Sequence, residues 1–313
     1  MSESQWEFVK NRTAADGAVW RSADGKFFKR TGGADLREEA RFQRRIGELG
    51  YPVPHVVDEG TEDGRAYFVE ESLGAASLHD TALAATGGQP AVMTDEVVDG
   101  AAAIAARLLT AQAAHPQPAP PGALRGWVER AGFTANVFAE NPDLDTPRVR
   151  ALTGRALDRL GSVPLVWSHF DYGLPNAFPA GVIDWQHHGL APLGYDVVPA
   201  LEIIAFKGGS KGYTAGAAQR ARYLAALDAV SLPAAGHPVS EHLGEFLLVK
   251  SLFFLALMKP ADPTRTDKLL KWDYRRRLFT MGLDQYEHCA TVDTAAFPTL
   301  DEFAAGDRVT GHP

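Results

Sequence analysis

The run His169-Phe170-Asp171-Tyr172-Gly173-Leu174-Pro175-Asn176, followed by Gly181-Val182-Ile183-Asp184-Trp185, brings two carboxylates and an amide into one short stretch of chain. Phosphoryl transfer to a hydroxyl requires such a set. One carboxylate orients the hydroxyl and takes its proton, while an amide oxygen and a second carboxylate hold Mg²⁺ against the nucleotide phosphates. Hard oxygen ligands suit Mg²⁺, which keeps several waters and borrows phosphate oxygens to complete its shell. Asp171 and Asn176 fall on one tight loop, and Pro179-Ala180-Gly181 can turn a hairpin that returns Asp184 to the same mouth. Each of these residues is by itself a common turn former. Their joint order, framed by the β-prone runs Leu165-Val166-Trp167 and Gly181-Val182-Ile183, is what points to chemistry. The adjacent His187 and His188 would face opposite ways on a strand and make a poor metal pair.

The elements that must position these groups change character along the chain. The first seventy residues read as strand, strand, helix, strand, strand. Gly17 to Ser22 and Lys26 to Arg30 flank Ala23-Asp24-Gly25, which carries an Asp-Gly hairpin signal. Leu36 to Leu49 reads as a helix with Gly50 near its stop, Pro52 to Val57 as a strand, Asp58 to Gly64 as a polar turn, and Ala66 to Val69 as the returning strand. After Gly74 the pattern is helical, with candidates at 95–114, 147–160, 196–206, 214–230, 240–258 and 264–287, and a Pro-rich connection at Pro116 to Pro121. A small β-rich lobe over 1–72, a hinge near 70–74 and a larger helical lobe over 75–313 make an α+β arrangement.

Composition bounds the partners. The chain has 313 residues, 45% hydrophobic and 22% charged, enough for a large core or two. A formal net charge of −8 disfavours nucleic acid and suits a cationic small molecule. The single cysteine, Cys289, can form neither an internal disulfide nor a thiolate zinc site, which fits a reducing cytoplasm. Met1 to Lys10 lacks the apolar core of a signal peptide, and the greasiest stretch, Phe246 to Met258, is too short to span a bilayer. The expectation is a cytoplasmic protein with no membrane or nucleic-acid partner.

The pattern H-x-D-x-x-x-x-N followed by I-D-W, present as His169, Asp171, Asn176, Ile183, Asp184 and Trp185, resembles the aminoglycoside phosphotransferase family, small-molecule kinases of the protein-kinase-like fold. Its D-x-x-x-x-N spacing is that of the kinase catalytic loop, and I-D-W in place of D-F-G favours the small-molecule branch. The resemblance implies that Asp171 is the catalytic base, that Asn176 and Asp184 are magnesium ligands, and that His169 braces the loop. The family's further downstream aspartate matches Asp196 in Gly194-Tyr195-Asp196-Val197, which would support the catalytic loop together with His169.

The resemblance also implies a nucleotide site in the N-terminal lobe, where a lysine on the third strand reaches the phosphates and a helix glutamate holds it. Lys29 and Glu39 fit these roles, with Lys26, Arg30 and Glu38 as competing choices. Strand periodicity puts Phe27 on the face of Lys29, where it would contact adenine. Glu70, Glu71 and Ser72 would form the hinge, whose backbone groups can hydrogen-bond the adenine edge. Two departures stand out: the Lys29 to Glu39 interval is short, and Thr13 to Ala18 must cover the phosphates with Gly17 as its only glycine.

The expected activity is ATP- and Mg²⁺-dependent phosphorylation of a hydroxyl on a small molecule, an aminoglycoside or other antibiotic being one acceptor class. A metabolite kinase acting on choline, homoserine or a sugar has the same machinery, and a non-catalytic nucleotide-binding protein of the same fold is the contrasting class. Glu129, Glu202, Glu245, Trp127 and Tyr195 are candidates for contacts to a cationic acceptor, although acidic residues on helices are usually solvated faces.

Overall fold

The structure is a computed structural model, and it describes residues 6–12, 17–87, 91–119, 123–124, 137–207, 213–262 and 264–310. Its N-terminal part is a five-stranded antiparallel sheet in the order β1-β2-β3-β5-β4. The strands are β1 (Trp6–Arg12), β2 (Gly17–Ser22), β3 (Phe27–Gly32), β4 (Val56–Glu62) and β5 (Arg65–Glu71), and helix α1 (Asp35–Glu48) lies between β3 and β4. The Asp-Gly signal is a turn, with Gly25 at φ 71°. Gly17 is needed for a different reason than cover over phosphates. A Cβ there would lie 1.8 Å from the Thr31 carbonyl oxygen, so β2 can approach β3 only without a side chain.

Two strands of this sheet differ from the sequence expectation. Strand β1 carries an irregularity between Phe8 and Lys10 and is exposed between the half-buried Trp6 and the buried Arg12, so no period-two alternation marks it. The stretch 58–64, expected as a turn, continues β4 to Glu62 before turning at Asp63 and Gly64.

Cross-strand pairing settles which face of β3 looks inward. Arg30 pairs with Val19 on one side and Phe68 on the other, and Phe28 pairs with Glu70. Directly opposed residues share a face. Phe68, Val56 and Ala66 form a buried cluster with Leu36 and Ala40 of α1, so Arg30 and Phe28 lie on the α1 side. Phe27 and Lys29 lie on the outer side with Trp20, Tyr67 and Val69. On α1, Leu36, Glu39, Ala40, Phe42, Gln43 and Ile46 are buried at helical spacing. Two polar side chains, Glu39 and Gln43, thus sit within its apolar stripe.

The remainder is mainly helical: α2 (Leu78–Thr86), α3 (Asp95–Ala114), α4 (Pro147–Leu160), α5 (Ala217–Ala235), α6 (Leu243–Leu257), α7 (Thr266–Cys289) and α8 (Leu300–Thr310). Helix α3 is apolar and long enough to cross a membrane by length and composition alone, but it is a core helix here, burying Val97, Val98, Ile104, Leu108 and Leu109. Each such aliphatic side chain contributes about 1.5–3 kcal/mol by leaving water. Helix α6 is buried on nearly all sides, which is why its sequence is apolar without periodicity.

The expected helix at 196–206 is absent; a series of turns runs to Leu201, and a 3₁₀ helix covers Glu202–Lys207. Pro199 has no N–H to continue a helix, and the Asp196 side chain is drawn inward by the site described below.

Short strands interrupt the helices. β6 (Ala91–Val92) pairs in parallel with β11 (Tyr213–Thr214), β7 (Leu165–Ser168) pairs with β10 (Gly189–Pro192), and β8 (Ala177–Phe178) forms a hairpin with β9 (Gly181–Val182).

Candidate active site

The loop 169–176 leaves β7 and enters the β8–β9 hairpin, and it is fastened from three directions. The His79 N–H of α2 donates to the Leu174 carbonyl at 3.2 Å. Arg107 of α3 donates to the carbonyls of Pro179 and Ala180 at the hairpin tip. The Val182 N–H donates to the Pro52 carbonyl at 2.7 Å, tying the hairpin to the segment after α1.

The fully buried Asp196 carboxylate is the loop's internal anchor. It accepts the His169 N–H at 2.7 Å, the Phe170 N–H at 3.0 Å and the Gln112 side-chain amide at 3.3 Å. A buried carboxylate that collects N–H donors this way forms charge-assisted bonds, stronger than neutral ones. Those bonds hold Phe170 in a left-handed conformation with φ 64°. Such a backbone costs about 1–3 kcal/mol for a side-chain-bearing residue and persists only where its surroundings impose it. The buried His169 ring reaches across the hairpin, with Nε2 2.8 Å from the Ile183 carbonyl, and packs edge-on against Trp185.

The consequence is to present Asp171 outward, exposed at the loop's rim. Asn176 donates its side-chain amide to the Asp171 carbonyl at 2.9 Å and lies 3.4 Å from its carboxylate. With its nitrogen so committed, the Asn176 side-chain oxygen is the atom left to bind a cation. The Ile183 N–H donates to the Asn176 carbonyl at 3.0 Å, linking this loop directly to the segment bearing Asp184.

Asp184 also has a left-handed backbone, with φ 70°. Its carboxylate is met by two guanidinium groups, Arg30 Nη1 at 3.2 Å and Arg12 Nη2 at 3.9 Å. Burial pushes its pKa up, but Arg30 and Arg12 outweigh that and hold it below the ordinary value. Arg30 is itself buried. Although burial disfavours its charge, Glu70, Asp184 and Glu39 together raise its pKa. It donates Nε to Glu70 at 2.6 Å, and Glu70 in turn accepts from Gln43 at 2.8 Å. Arg12 donates to Glu39 at 2.6 Å and to Gln186 at 3.0 Å. Burial raises the Glu39 pKa, with Arg30 and Arg12 pulling against it.

These placements correct several expectations. Lys29 does not approach Asp184; its ammonium pairs with Glu62 and lies 4.8 Å from the Tyr67 ring centre on the outer face. Phe27 lines an outer groove with Trp6 and Val69. The inward cation of β3 is Arg30, one residue on, and Glu39 is held by Arg12. The Glu70 side chain is buried against Arg30, which leaves its expected main-chain contact to a base untouched. The N–H groups of Glu71 and Ser72 already donate to the carbonyls of His55 and Lys26, although both residues line an open cavity with Phe28 and Gly74.

Glu202 pairs with Arg220 and Thr294, and Glu245 with Arg159 and Tyr286, so neither is a solvated face. Tyr195 is buried. Thr13 to Asp16, Trp127 and Glu129 lie outside the described residues. His188 stacks on Phe42 at 3.5 Å.

The sequence reading missed Arg12, Gln43, Gln112 and Gln186. Gln43 was detectable, one helical turn after Glu39 within the apolar stripe of α1. Arg12 was not, since β1 shows no alternation.

A family model described as the phosphotransferase enzyme family APH matches residues 18–240, a span that contains the sheet from β2 onward, the loop and Asp184. The chain belongs to this phosphotransferase family. Among solved structures, a putative aminoglycoside phosphotransferase from Ralstonia eutropha aligns over 90% of this chain and 92% of its own, with TM-score 0.57 and 14% identity. Aminoglycoside phosphotransferase APH(4)-Ia aligns over 89% and 94%, with TM-score 0.50 and 16% identity. A thermostable mutant of that enzyme, solved as a ternary complex with ADP and hygromycin B, aligns equally well, at TM-score 0.50 and 16% identity. At these identities the likeness is one of fold. No curated protein matches the chain by sequence.

Within this phosphotransferase the anchor makes a direct prediction. Asp196→Ala leaves the His169 and Phe170 N–H groups without their buried acceptor, costing about 1–3 kcal/mol of stability. It also lets the loop shift by enough to lower kcat about a hundredfold. Thermal melts and steady-state kinetics on one preparation check both effects, and wild-type turnover would show that the loop holds itself.

Proposed function

We propose that this chain transfers the γ-phosphate of ATP to a hydroxyl of a small molecule, with Mg²⁺ as the metal. The observation that carries the reading is the joining of Asp171 and Asn176 in one anchored loop, linked through the Ile183 N–H to the segment of Asp184. In this mechanism the exposed Asp171 carboxylate accepts a hydrogen bond from the acceptor hydroxyl, aims its oxygen, and takes its proton as the bond to phosphorus forms. The donors fit a hard cation, since Asn176 and Asp184 offer oxygen atoms. When bound, the metal neutralises charge on the phosphate oxygens. Arg30, instead of Lys29, meets the phosphates, and Glu70, Gln43, Arg12 and Glu39 hold the cationic end of the cleft in place. His169 and Asp196 keep the loop's shape.

An ADP- and antibiotic-bound structure of the same fold supports a nucleotide and a small hydroxylated acceptor as the substrates. An aminoglycoside or other antibiotic is the first acceptor class to test, and choline, homoserine or a sugar the second. One observation favours a different reading, a nucleotide-binding protein without transfer: Asp184 is already engaged by Arg30.

The experiment is an ATP-consumption assay over aminoglycosides, other antibiotics, sugars and amino alcohols, paired with thermal shift in ATP and Mg²⁺. Transfer to one acceptor class, lost in excess EDTA, is the expected result. Stabilisation by nucleotide with no transfer across the panel would favour the binding protein. Full activity in EDTA would remove the metal from the mechanism.

A further inference from the structure

A second polar cluster lies outside the loop and cleft, where α5 hands over to α6. His237 follows α5, and Glu241 and His242 lie in the 3₁₀ turn Val239–His242 that leads into α6. Their donor atoms converge. His237 Nδ1 is 3.0 Å and His242 Nε2 is 3.5 Å from Glu241 Oε1, and all three ligand atoms lie within 4.8 Å of one another. Tetrahedral zinc, with bonds of about 2.0–2.1 Å to nitrogen and oxygen, sets its ligand atoms about 3.4 Å apart.

The backbone under the cluster is fastened independently of these side chains. The Val239 N–H donates to the buried Ser231 hydroxyl at 3.0 Å, and the Ser240 N–H and hydroxyl both bond Asp228, at 3.0 and 2.6 Å. The ligand-bearing turn is therefore held before any ion arrives, as a binding site requires.

A second observation comes from behind His242. Glu245, in the first turn of α6, is wholly buried, with Oε1 held by Arg159 at 2.7 Å and Tyr286 at 2.9 Å. Its Oε2 has no hydrogen-bond partner and lies 3.9 Å from His242 Nδ1, which also has none. A buried carboxylate facing the far nitrogen of a histidine is the arrangement that fixes the ring's tautomer and turns its other nitrogen to a metal. The His242 ring is nine-tenths buried, whereas His237 and Glu241 are 26% and 47% exposed, so one side of the cluster opens to solvent.

We propose that His237, Glu241 and His242 bind a divalent transition-metal ion of the Zn²⁺ class, with Glu245 orienting His242 and a solvent molecule completing the shell. Two imidazoles and one carboxylate suit zinc over Mg²⁺, which favours all-oxygen shells. The site joins the end of α5 to the start of α6, so the ion fastens the two helices to each other.

The test uses the whole chain, stripped with chelator and titrated with Zn²⁺ by calorimetry and with Co²⁺ by visible absorption. One Zn²⁺ should bind, and Co²⁺ should show the intense bands of a tetrahedral site. His237→Ala, on a partly exposed loop and expected to fold, should abolish both signals. Glu245→Gln should weaken binding by about 10–100-fold, as loss of a supporting carboxylate does. Asp184→Asn should leave the zinc site intact, which separates it from the proposed magnesium site and from any failure of the kinase reading. Zn²⁺ binding unchanged in His237→Ala, binding lost in Asp184→Asn, or no bound ion at millimolar Zn²⁺ would each overturn the proposal.

Discussion

Arg30→Ala should eliminate measurable phosphoryl transfer, whereas Lys29→Ala should leave it nearly intact. Arg30 is the cation of β3 that faces Asp184, beside Arg12, and is flanked by Glu70 and Glu39. Removing a preorganised charge aimed at phosphate typically costs about 10²–10³ in kcat. Here the deletion also leaves buried Glu70 without its guanidinium partner, and breaking a buried ion pair this way destabilises by about 3–5 kcal/mol. The fold and the chemistry must be read separately, so Arg30→Lys is the companion variant. It retains the charge with a shorter reach and should recover folding before it recovers rate. Lys29 belongs to an outer-face pair with the exposed Glu62, and its loss should change stability by no more than about 0.5 kcal/mol.

The same network sets a pH dependence. The Asp184 pKa is depressed when folded, so its contribution to stability is fully present above its unfolded pKa of about 3.9 and is lost as pH falls through the folded value. Chemical denaturation from neutral pH downward, with kcat measured at neutral pH, checks both parts. A silent Arg30→Ala beside an inactive Lys29→Ala would reverse the assignment.

Asp171→Asn should reduce kcat by about 10²–10⁴-fold while leaving ATP affinity little changed, since general-base assistance is lost and the nucleotide-facing groups are not touched. Asn is nearly isosteric and Asp171 is exposed, so the melting temperature should hold. The contact from Asn176 also goes to the Asp171 main-chain carbonyl, which the substitution retains. Single-turnover transfer and nucleotide binding on one preparation separate chemistry from affinity. Turnover at the wild-type rate would take Asp171 out of the mechanism.

Much of the candidate site was legible along the chain because its parts are close in sequence. Asp171 and Asn176 share a loop, and one hairpin returns Asp184, so residue type and spacing alone brought them together. Asp196 was also marked from its motif as a support of the loop, but the bonds by which it acts were not legible. Only the fold shows that its carboxylate takes the His169 and Phe170 N–H groups and so fixes Phe170 in a left-handed conformation.

What the sequence by itself determined was the order of elements from β2 to β5, the α+β character and the constellation of the loop, all set by local turn chemistry and hydrophobic period; β1 and the turns at 196–201 were not among them. The face of β3 was decided only in three dimensions. Phe27 and Lys29 repeat the composition of Phe28 and Arg30 one residue out of step, so period-two reasoning has no basis for choosing between them. The choice falls to Phe68, Val56 and Ala66, whose burial against Leu36 and Ala40 of α1 fixes which side of the sheet is inside. Burial then selects the cation. A guanidinium can be carried inside because it meets Glu70 and Asp184 at once through separate nitrogens, whereas the single ammonium of Lys29 remains at the outer face with Glu62.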